Sequence, residues 1–260
     1  MLLNKLIPKE ILKNLKLLVL DSDGVCIPRG TKIWEKEIGN SYEVNFKTDV
    51  ITDEFADLVN QLKKKIKICI SSGRSMIYLQ SIYGKILGEG TTLMAENGNL
   101  FLVAGHQFQY RIYPEEYFVK LAKIKNEIKQ LPISGFEPKQ FILTVHSPME
   151  LKEVYEIVKK YDIDNYLKVM WNGEAFDIMP KDVSKGESLK FLLQYLKISK
   201  DETIAIGDRV NDKELLEAAG IGVSADQEKL PAEFWTIGQG LPGELLVKHL
   251  LEVVAGDRKG

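Results

Sequence analysis

Short apolar runs that are typical of buried strands alternate along the chain with segments of helical periodicity. The strand-like runs are LKLLVLD, IKICISSG, TTLMA, TIAIGD and IGVSA. Amphipathic segments separate them, such as TDEFADLVNQLKKK, in which Thr52 is a suitable helix N-cap. Strands that alternate with helices predict a parallel sheet covered on both faces, so we expect an α/β core.

The middle of the chain has a different pattern. Two helical segments, YPEEYFVKLAKIKNEIKQL and PMELKEVYEIVKKY, lie on either side of the strand-like KQFILTVHS, and YLKVMWNGEAFDIMP predicts a hairpin that turns at Asn172-Gly173. Helices followed by neighbouring antiparallel strands predict a small α+β module inserted into the α/β domain. We therefore expect a core domain of residues 1–105 and 181–260, with an inserted cap domain of residues 106–180.

A second hairpin is predicted between the first two core strands, in GTKIWEKEIGNSYEVNFKT. Two alternating runs flank Gly39-Asn40, which favours a β-turn there. The hairpin, about Lys32 to Lys47, carries apolar residues such as Trp34 and Tyr42. We expect it either to cover the entrance of a site or to make a subunit contact, so a homo-oligomer is one of the alternatives left open.

Composition narrows the class of protein. The 260 residues are 45% hydrophobic and 28% charged, which is typical of a soluble globular protein. The net charge of −2 argues against a nucleic-acid partner bound through bulk positive charge, and we interpret the lysines as solvated surface. Cys26 and Cys69 are too few for a disulfide framework. No stretch has the length of a membrane span and no signal peptide is evident, so we expect no membrane partner and a cytoplasmic location.

Polar residues collect where the predicted core strands end. Ligands of open α/β sheets bind beyond the carboxyl ends of the strands. The residues at these ends, together with a lysine that opens a later helix, are Asp21, Asp23, Ser71, Ser72, Gly73, Arg74, Lys185, Asp208, Asn211 and Asp212. Converging carboxylates repel one another unless a cation neutralises them, and an oxygen-only ligand set suits Mg²⁺.

The remaining groups suit the oxygens of a phosphoryl group. A serine hydroxyl, the backbone amides near Gly73 and the ammonium of Lys185 would bind those oxygens, as phosphoryl transfer requires. An aspartate beside Mg²⁺ can attack phosphorus, and a second carboxylate two residues on is placed to protonate the leaving alcohol. Both Ser71 and Ser72 are candidates for the hydroxyl, and we favour Ser72 because it directly precedes Gly73-Arg74.

With these residues in place, the chain resembles the haloacid dehalogenase superfamily of phosphatases. DSDGV is similar to the family's first motif, D-x-D-G-[TV], and ICISSGRS to the second, an apolar strand that ends in Ser or Thr. VSKGESL is similar to the lysine motif and IGDRVNDKELLEAAG to the fourth, G-D-x-x-N-D. All four occur in the family's order over most of the chain, and the resemblance implies a Rossmann-like core with an inserted cap.

The resemblance also implies a role for each matching residue. Asp21 matches the nucleophile, and Asp23 matches the general acid and base, with its backbone carbonyl on the metal. Asp208 matches the metal aspartate and Asp212 the second acidic position. The implied metal site is thus Asp21, Asp23, Asp208 and Asp212 with Mg²⁺. The implied phosphate-binding set is Ser72, Gly73, Lys185 and Asn211.

The position of the insert resembles that of the type-two cap of sugar-phosphate phosphatases, sucrose-phosphatase, mannosyl-3-phosphoglycerate phosphatase, archaeal phosphoglycolate phosphatase and phosphomannomutase. The hairpin near Lys32 is a departure from those members. It resembles the flap of the capless 3-deoxy-manno-octulosonate 8-phosphate phosphatases, which use it in tetramer assembly. The subgroup therefore stays open, as does the choice between a sugar phosphate and a phosphorylated acid as the small-metabolite substrate.

Two rival functions follow from the same motifs. A phosphomutase would need a cap rich in arginine to hold a bisphosphate, and the predicted cap has Arg111 alone. A non-catalytic binding protein on the same scaffold would be indicated by replacement of Asp21 or Asp23, and both are present. We therefore expect a Mg²⁺-dependent phosphatase that forms an aspartyl-phosphate.

Overall fold

The structure, a computed structural model, describes residues 2–5, 7 and 9–256, and the side chains of these except 9–11, 33–37 and 254–256. In chain order the strands are β1 (Leu17–Asp21), β2 (Lys32–Ile38), β3 (Ser41–Lys47), β4 (Lys67–Ser71), β5 (Thr91–Ala95), β6 (Leu100–Val103), β7 (His106–Gln109), β8 (Gly135–Glu137), β9 (Leu143–His146), β10 (Leu167–Trp171), β11 (Ala175–Pro180), β12 (Thr203–Gly207), β13 (Ile221–Ser224) and β14 (Phe234–Trp235). The helices are α1 (Lys9–Asn14), α2 (Asp53–Leu62), α3 (Met76–Ile82), α4 (Glu115–Ile128), α5 (Lys152–Tyr161), α6 (Lys185–Leu196), α7 (Lys213–Ala218) and α8 (Pro242–Gly256).

The chain divides into two compact units. The core unit comprises Met1–Arg29, Asp49–Phe108 and Ser184–Gly260, and the cap unit comprises Gly30–Thr48 and Gln109–Val183. These bounds lie within three residues of the expected cap of 106–180, but they differ from the expected domains in one larger respect. The hairpin was expected within the core segment 1–105, whereas the structure groups it with the cap.

The core unit is built on a sheet of order β14-β13-β12-β1-β4-β5-β6-β7 among the described residues. The strands from β14 to β5 run parallel, and β6 runs antiparallel to β5. All five residues of β1 are buried, as its apolar run predicts for a strand covered on both faces. The expected α/β fold with a parallel sheet is confirmed.

Helix caps fix the starts of two core helices. The Thr52 hydroxyl accepts a hydrogen bond from the backbone N–H of Phe55 at 3.2 Å, so the predicted N-cap of α2 is confirmed. Ser184 does the same for α6 by accepting from the N–H of Glu187 at 3.2 Å. Because each cap satisfies an N–H that lacks an intrahelical partner, it sets the residue at which the helix begins. For α6 that residue is Lys185.

The cap unit has its own sheet, of order β10-β11-β9-β8, whose strands pair antiparallel. Helices α4 and α5 contribute buried residues such as Leu121 and Val154 to an apolar core with Val145 and Phe176 of the sheet. The predicted hairpin at Asn172-Gly173 is confirmed as β10 and β11. The sequence pattern does not predict β8, because its three residues, Gly135–Glu137, are too few to show a period.

The hairpin near Lys32 is confirmed as β2 and β3, which pair antiparallel with Ile38 opposite Ser41. Its first strand contacts β8 of the cap sheet. Tyr42 and Val44 are exposed on β3, whereas the side chain of Trp34 lies outside the described residues. Whether the hairpin covers a site entrance or joins subunits stays a prediction. No helix in the described part of the chain combines the length and apolarity that crossing a bilayer requires.

Candidate active site

Three carboxylates meet at the carboxyl edge of the core sheet. Asp21 is the last residue of β1, Asp208 directly follows β12, and Asp212 lies in the short turn Val210–Asp212. One carboxylate oxygen from each lies within 4.8 Å of the others. The three side chains come together because β1 and β12 are parallel neighbours, so their carboxyl ends reach the same edge. All three residues are buried.

Lys185 lies within this carboxylate cluster. Its Nζ donates hydrogen bonds to Oδ1 of Asp21 at 2.5 Å and to Oδ1 of Asp212 at 2.6 Å, and its side chain is 3% exposed. The neighbouring Gly186 lets α6 approach closely, because a Cβ there would lie 2.4 Å from the carbonyl oxygen of Glu214. Because α6 begins at Lys185, the ammonium of this residue lies buried between the carboxylates of Asp21 and Asp212.

Burial makes the cluster electrostatically costly. The pKa of the Asp21 carboxyl is raised to about 8, first by burial and then by the charge of Asp212, with Lys185 acting in the opposite direction. Burial also raises the pKa of Asp208, against the lowering effect of its hydrogen bonds with Arg29. For Lys185 burial disfavours the charge, but the carboxylates of Asp21 and Asp212 outweigh it and raise its pKa.

This donor set fits a hard divalent cation. The three carboxylates offer oxygen ligands only, and a cation among them would offset both the burial and the repulsion that raise the pKa of Asp21. Asp21, Asp208 and Asp212 are thus the side chains that would hold Mg²⁺. The carboxylate of Asp23, the fourth expected ligand residue, is not part of this cluster among the described residues. Any contribution from its backbone carbonyl stays a prediction.

The carboxylate of Asp23 pairs instead with Arg74. Arg74 Nε donates to Oδ2 at 3.2 Å and Nη2 donates to Oδ1 at 3.1 Å. The two side chains are 16% and 11% exposed, so the pair is largely shielded from water. The two aspartates of the first motif therefore have different surroundings, one beside carboxylates and a lysine, the other beside an arginine.

Arg29 is a site residue that the sequence reasoning misses. Its guanidinium donates to both oxygens of Asp208 at 2.5 to 2.9 Å. Gly24 makes this possible, since a Cβ there would lie 2.5 Å from Oδ2 of Asp208 and 2.9 Å from Nε of Arg29. Its φ of +86° also favours glycine. The glycine of the first motif was thus a usable signal that a neighbouring group approaches the backbone closely.

The loop after β4 holds the expected hydroxyl. The Ser72 hydroxyl is buried and accepts a hydrogen bond from the N–H of Arg74 at 3.1 Å. Ser71 lies in register with Asp21 on the neighbouring strand, and its buried Oγ has no hydrogen-bond partner among the described residues. Gly73 is half-buried. The choice of Ser72 over Ser71 as the phosphate ligand stays a prediction.

A buried turn of residues 96–98 is hydrogen-bonded to the loop that holds Ser72. Glu96, Asn97 and Gly98 have φ values of +51°, +56° and +91°. The N–H of Asn97 donates to the carbonyl of Ser72 at 3.0 Å, and the carbonyl of Asn97 accepts from the hydroxyl of Ser188 at 3.1 Å. Since Ser188 belongs to α6, this turn ties the Ser72 loop to the helix that begins with Lys185.

Asn211, an expected phosphate ligand, directly precedes Asp212 of the carboxylate cluster. It lies in the turn Val210–Asp212 and is exposed, whereas its neighbour Asp212 is buried. The backbone N–H of Asp208 donates to Oδ2 of Asp212 at 3.2 Å, so that carboxylate also shapes the turn. A role for Asn211 in phosphate binding stays a prediction.

The chain is similar to several known proteins. The family model of the haloacid dehalogenase-like hydrolases matches residues 106–229. A phosphoglycolate phosphatase of Sulfurisphaera tokodaii is 32% identical over 183 residues, which span 67% of this chain and 72% of that protein. A phosphoglycolate phosphatase of Methanopyrus kandleri is 28% identical over 166 residues, 62% of this chain and 70% of that protein. A crystal structure of a haloacid dehalogenase-like hydrolase from Bacteroides thetaiotaomicron shares the fold, with a TM-score of 0.65 at 15% identity over 92% of this chain and 99% of that one.

Proposed function

The chain belongs to the haloacid dehalogenase-like hydrolases and is a phosphatase of small phosphorylated substrates, and we propose that it works with Mg²⁺ through an aspartyl-phosphate on Asp21. One observation carries the proposal. Asp21, Asp208, Asp212 and Lys185 meet, buried, at the carboxyl edge of the sheet. Folding gains little from three buried carboxylates, whereas phosphoryl transfer needs a cation site and a nucleophile side by side.

In the first step, an oxygen of Asp21 attacks phosphorus and the bond from phosphorus to the ester oxygen breaks. Asp23 gives a proton to the leaving alcohol. In the second step, Asp23 takes a proton from water, the water oxygen attacks phosphorus, and the acyl-phosphate bond breaks to release phosphate and restore Asp21. When bound, Mg²⁺ supplies positive charge to the aspartates and to the phosphoryl oxygens.

Lys185 and Arg74 position the two reacting carboxylates. The ammonium of Lys185 holds Oδ1 of Asp21, and it also offers donors to a phosphoryl oxygen. The guanidinium of Arg74 holds both oxygens of Asp23 and keeps that carboxylate apart from the cation-binding cluster. This separation supports different roles for the two aspartates.

For the substrate we propose a short phosphorylated acid such as phosphoglycolate. The relatives from Methanopyrus kandleri and Sulfurisphaera tokodaii are both named phosphoglycolate phosphatase, and the match to this chain spans 70% and 72% of their lengths. The experiment is a panel of phosphoglycolate and sugar phosphates, assayed with Mg²⁺ and with EDTA. We expect the highest kcat/KM for phosphoglycolate, no phosphate release in EDTA and recovery on addition of Mg²⁺. Full activity in the chelator would exclude the cation.

Single-turnover mass spectrometry tests the nucleophile. The wild type should gain the mass of one phosphoryl group, and Asp21→Asn should not. Asp57→Asn is the matched control, because Asp57 is an exposed carboxylate of α2 in the same unit. A phospho-enzyme in Asp21→Asn would overturn the assignment of Asp21 and place the nucleophile on another side chain, whereas a wild type that gains no phosphoryl mass would leave water as the nucleophile.

A further inference from the structure

Six lysines line one groove of the core unit. The groove has a volume of about 800 Å³, and its lysines come from separate segments of the chain: Lys16, Lys63, Lys64, Lys65, Lys67 and Lys197. A single carboxylate, that of Glu89, is among the lining residues. The lining thus carries a formal charge of +5, although the whole chain has a net charge of −2.

The groove lies at the opposite edge of the sheet from the candidate active site. Lys16 directly precedes β1, Lys67 is the first residue of β4, and Gly90 directly precedes β5. Asp21 and Ser71 are the last residues of β1 and β4. Because these strands run parallel, their first residues mark one edge of the sheet and their last residues mark the other. The groove is therefore separate from the carboxylate cluster.

Three of the six groove lysines have no carboxylate partner among the described residues. Lys64, Lys67 and Lys197 are exposed and make no ion pair within the described part of the structure. Some exposed lysines on other surfaces do pair with a carboxylate, as Lys85 does with Asp53 and Lys229 does with Asp226. Like charges that converge without counter-charges repel one another, so this arrangement gains stability when an anion enters.

One side of the groove is held in place by local packing. Lys63 Nζ donates to the carbonyl of Ile86 at 2.7 Å, and its methylene stem lies over Gly90, where a Cβ would be 2.8 Å from Cγ of the lysine. Lys16 pairs with Glu202 at 2.6 Å. These two lysines are held at the wall, whereas Lys64, Lys67 and Lys197 are exposed to solvent.

We propose that this groove binds a compact polyanion that carries several phosphate groups. The shape is concave, and its volume lies within the range of small-molecule sites, which is unlike the flat surface expected for a membrane. No aromatic side chain is among the described lining residues, so the groove offers no stacking surface for the bases of a single-stranded nucleic acid. Flexible ammonium groups act as point charges and suit a cluster of phosphates.

The test is calorimetric titration of the full chain with sodium tripolyphosphate, in EDTA to prevent turnover. The groove variant is Lys64→Gln/Lys67→Gln/Lys197→Asn, where asparagine accommodates the left-handed conformation of position 197. The matched control is Lys129→Gln/Lys152→Gln/Lys159→Gln, which removes three exposed lysines of the cap unit that make no ion pair among the described residues. Both variants change the net charge by the same amount.

We expect the groove variant to bind tripolyphosphate about tenfold more weakly or worse, and the control variant to match the wild type within about twofold. Orthophosphate should bind much more weakly than tripolyphosphate, and added salt should weaken tripolyphosphate binding. Equal losses in both variants, unchanged binding in the groove variant or no binding to the wild type would overturn the proposal. An oligothymidylate that binds more tightly than tripolyphosphate would also overturn it and identify an extended nucleic acid as the ligand.

Discussion

The guanidinium of Arg29 donates hydrogen bonds to both carboxylate oxygens of Asp208, from a position 179 residues earlier in the chain. A carboxylate has about four lone-pair sites, so this pairing leaves Asp208 able to bind a cation as well. The protein therefore places its own positive charge beside a ligand of the proposed Mg²⁺ site. This relationship makes the affinity for Mg²⁺ sensitive to Arg29.

Replacing Arg29 with glutamine should tighten Mg²⁺ binding several-fold, because a positive charge beside the cation site is removed. Arg29→Lys is the control, since it keeps the positive charge while removing the bidentate hydrogen bonding to Asp208. The measurement is a Mg²⁺ titration of phosphatase activity together with calorimetry. Weaker Mg²⁺ binding by Arg29→Gln would show instead that Arg29 mainly orients Asp208.

Arg74→Met should impair protonation of the leaving group, because it releases the carboxylate of Asp23 from its two hydrogen bonds. We expect kcat for a poor leaving group, such as that of phosphoglycolate, to fall by about 10- to 100-fold. An aryl phosphate such as p-nitrophenyl phosphate needs little protonation and should lose much less. Equal losses on both substrates in steady-state assays would count against this role of Arg74.

Gly98→Ala should destabilise the core unit by about 3 kcal/mol or more, because strain at positive φ adds to overpacking against α6. A Cβ at this position would lie 2.0 Å from Cβ of Ser188, and φ is +91°. Gly105→Ala is the matched control, with φ of +82° and no atom within 4 Å of the new Cβ. It should cost about 1 kcal/mol, the effect of backbone conformation alone. Urea unfolding of both variants measures the difference, and equal costs would contradict the close packing at Gly98.

Asp162→Ala should destabilise the cap unit by about 2 to 3 kcal/mol, because buried donors lose their acceptor. Asp162 accepts hydrogen bonds from the backbone N–H groups of Tyr166 and Leu167 at 3.1 and 2.8 Å, and from Lys120 at 2.9 Å. Asp164→Ala is the control, since Asp164 also pairs with Lys120 but its side chain is 67% exposed. Its urea midpoint should stay close to that of the wild type. Similar losses in both variants would show that the ion pair with Lys120, rather than the two N–H groups, carries the effect.

The sequence predicts that the residues at the centre of the candidate site lie close together. Asp21, Lys185, Asp208 and Asp212 each lie at the end of a strand or the start of a helix, and the order of a parallel sheet brings such ends to one edge. The pattern of strands and helices therefore contains most of the information needed to predict that these four residues lie together. The sequence pattern does not predict the difference in burial between two neighbours in one turn, since Asn211 is exposed and Asp212 is buried.

The partners of long charged side chains are not encoded in any local pattern. Arg29 and Asp208 are distant in sequence, and only the assembled sheet brings them together. The lysine groove is a similar case. Its residues belong to separate segments of the chain. Within each segment, the lysines have the pattern of an ordinary solvated surface. The hairpin near Lys32 contacts β8, a strand too short to be predicted, so its place beside the cap could not be inferred either.

The place of β1 in the sheet has a consequence during protein synthesis. One neighbour of β1, the strand Lys67–Ser71, leaves the ribosome soon after it, whereas the other, Thr203–Gly207, follows only after the whole segment Gln109–Val183 has been made. Through that interval we expect the nascent chain to hold a partly formed sheet in which one edge of the apolar strand Leu17–Asp21 has no partner strand. Such edges pair with other chains, so products truncated before Thr203 should aggregate or engage chaperones. The same order of synthesis means that Asp21 cannot pair with Lys185 until the ribosome has passed position 185.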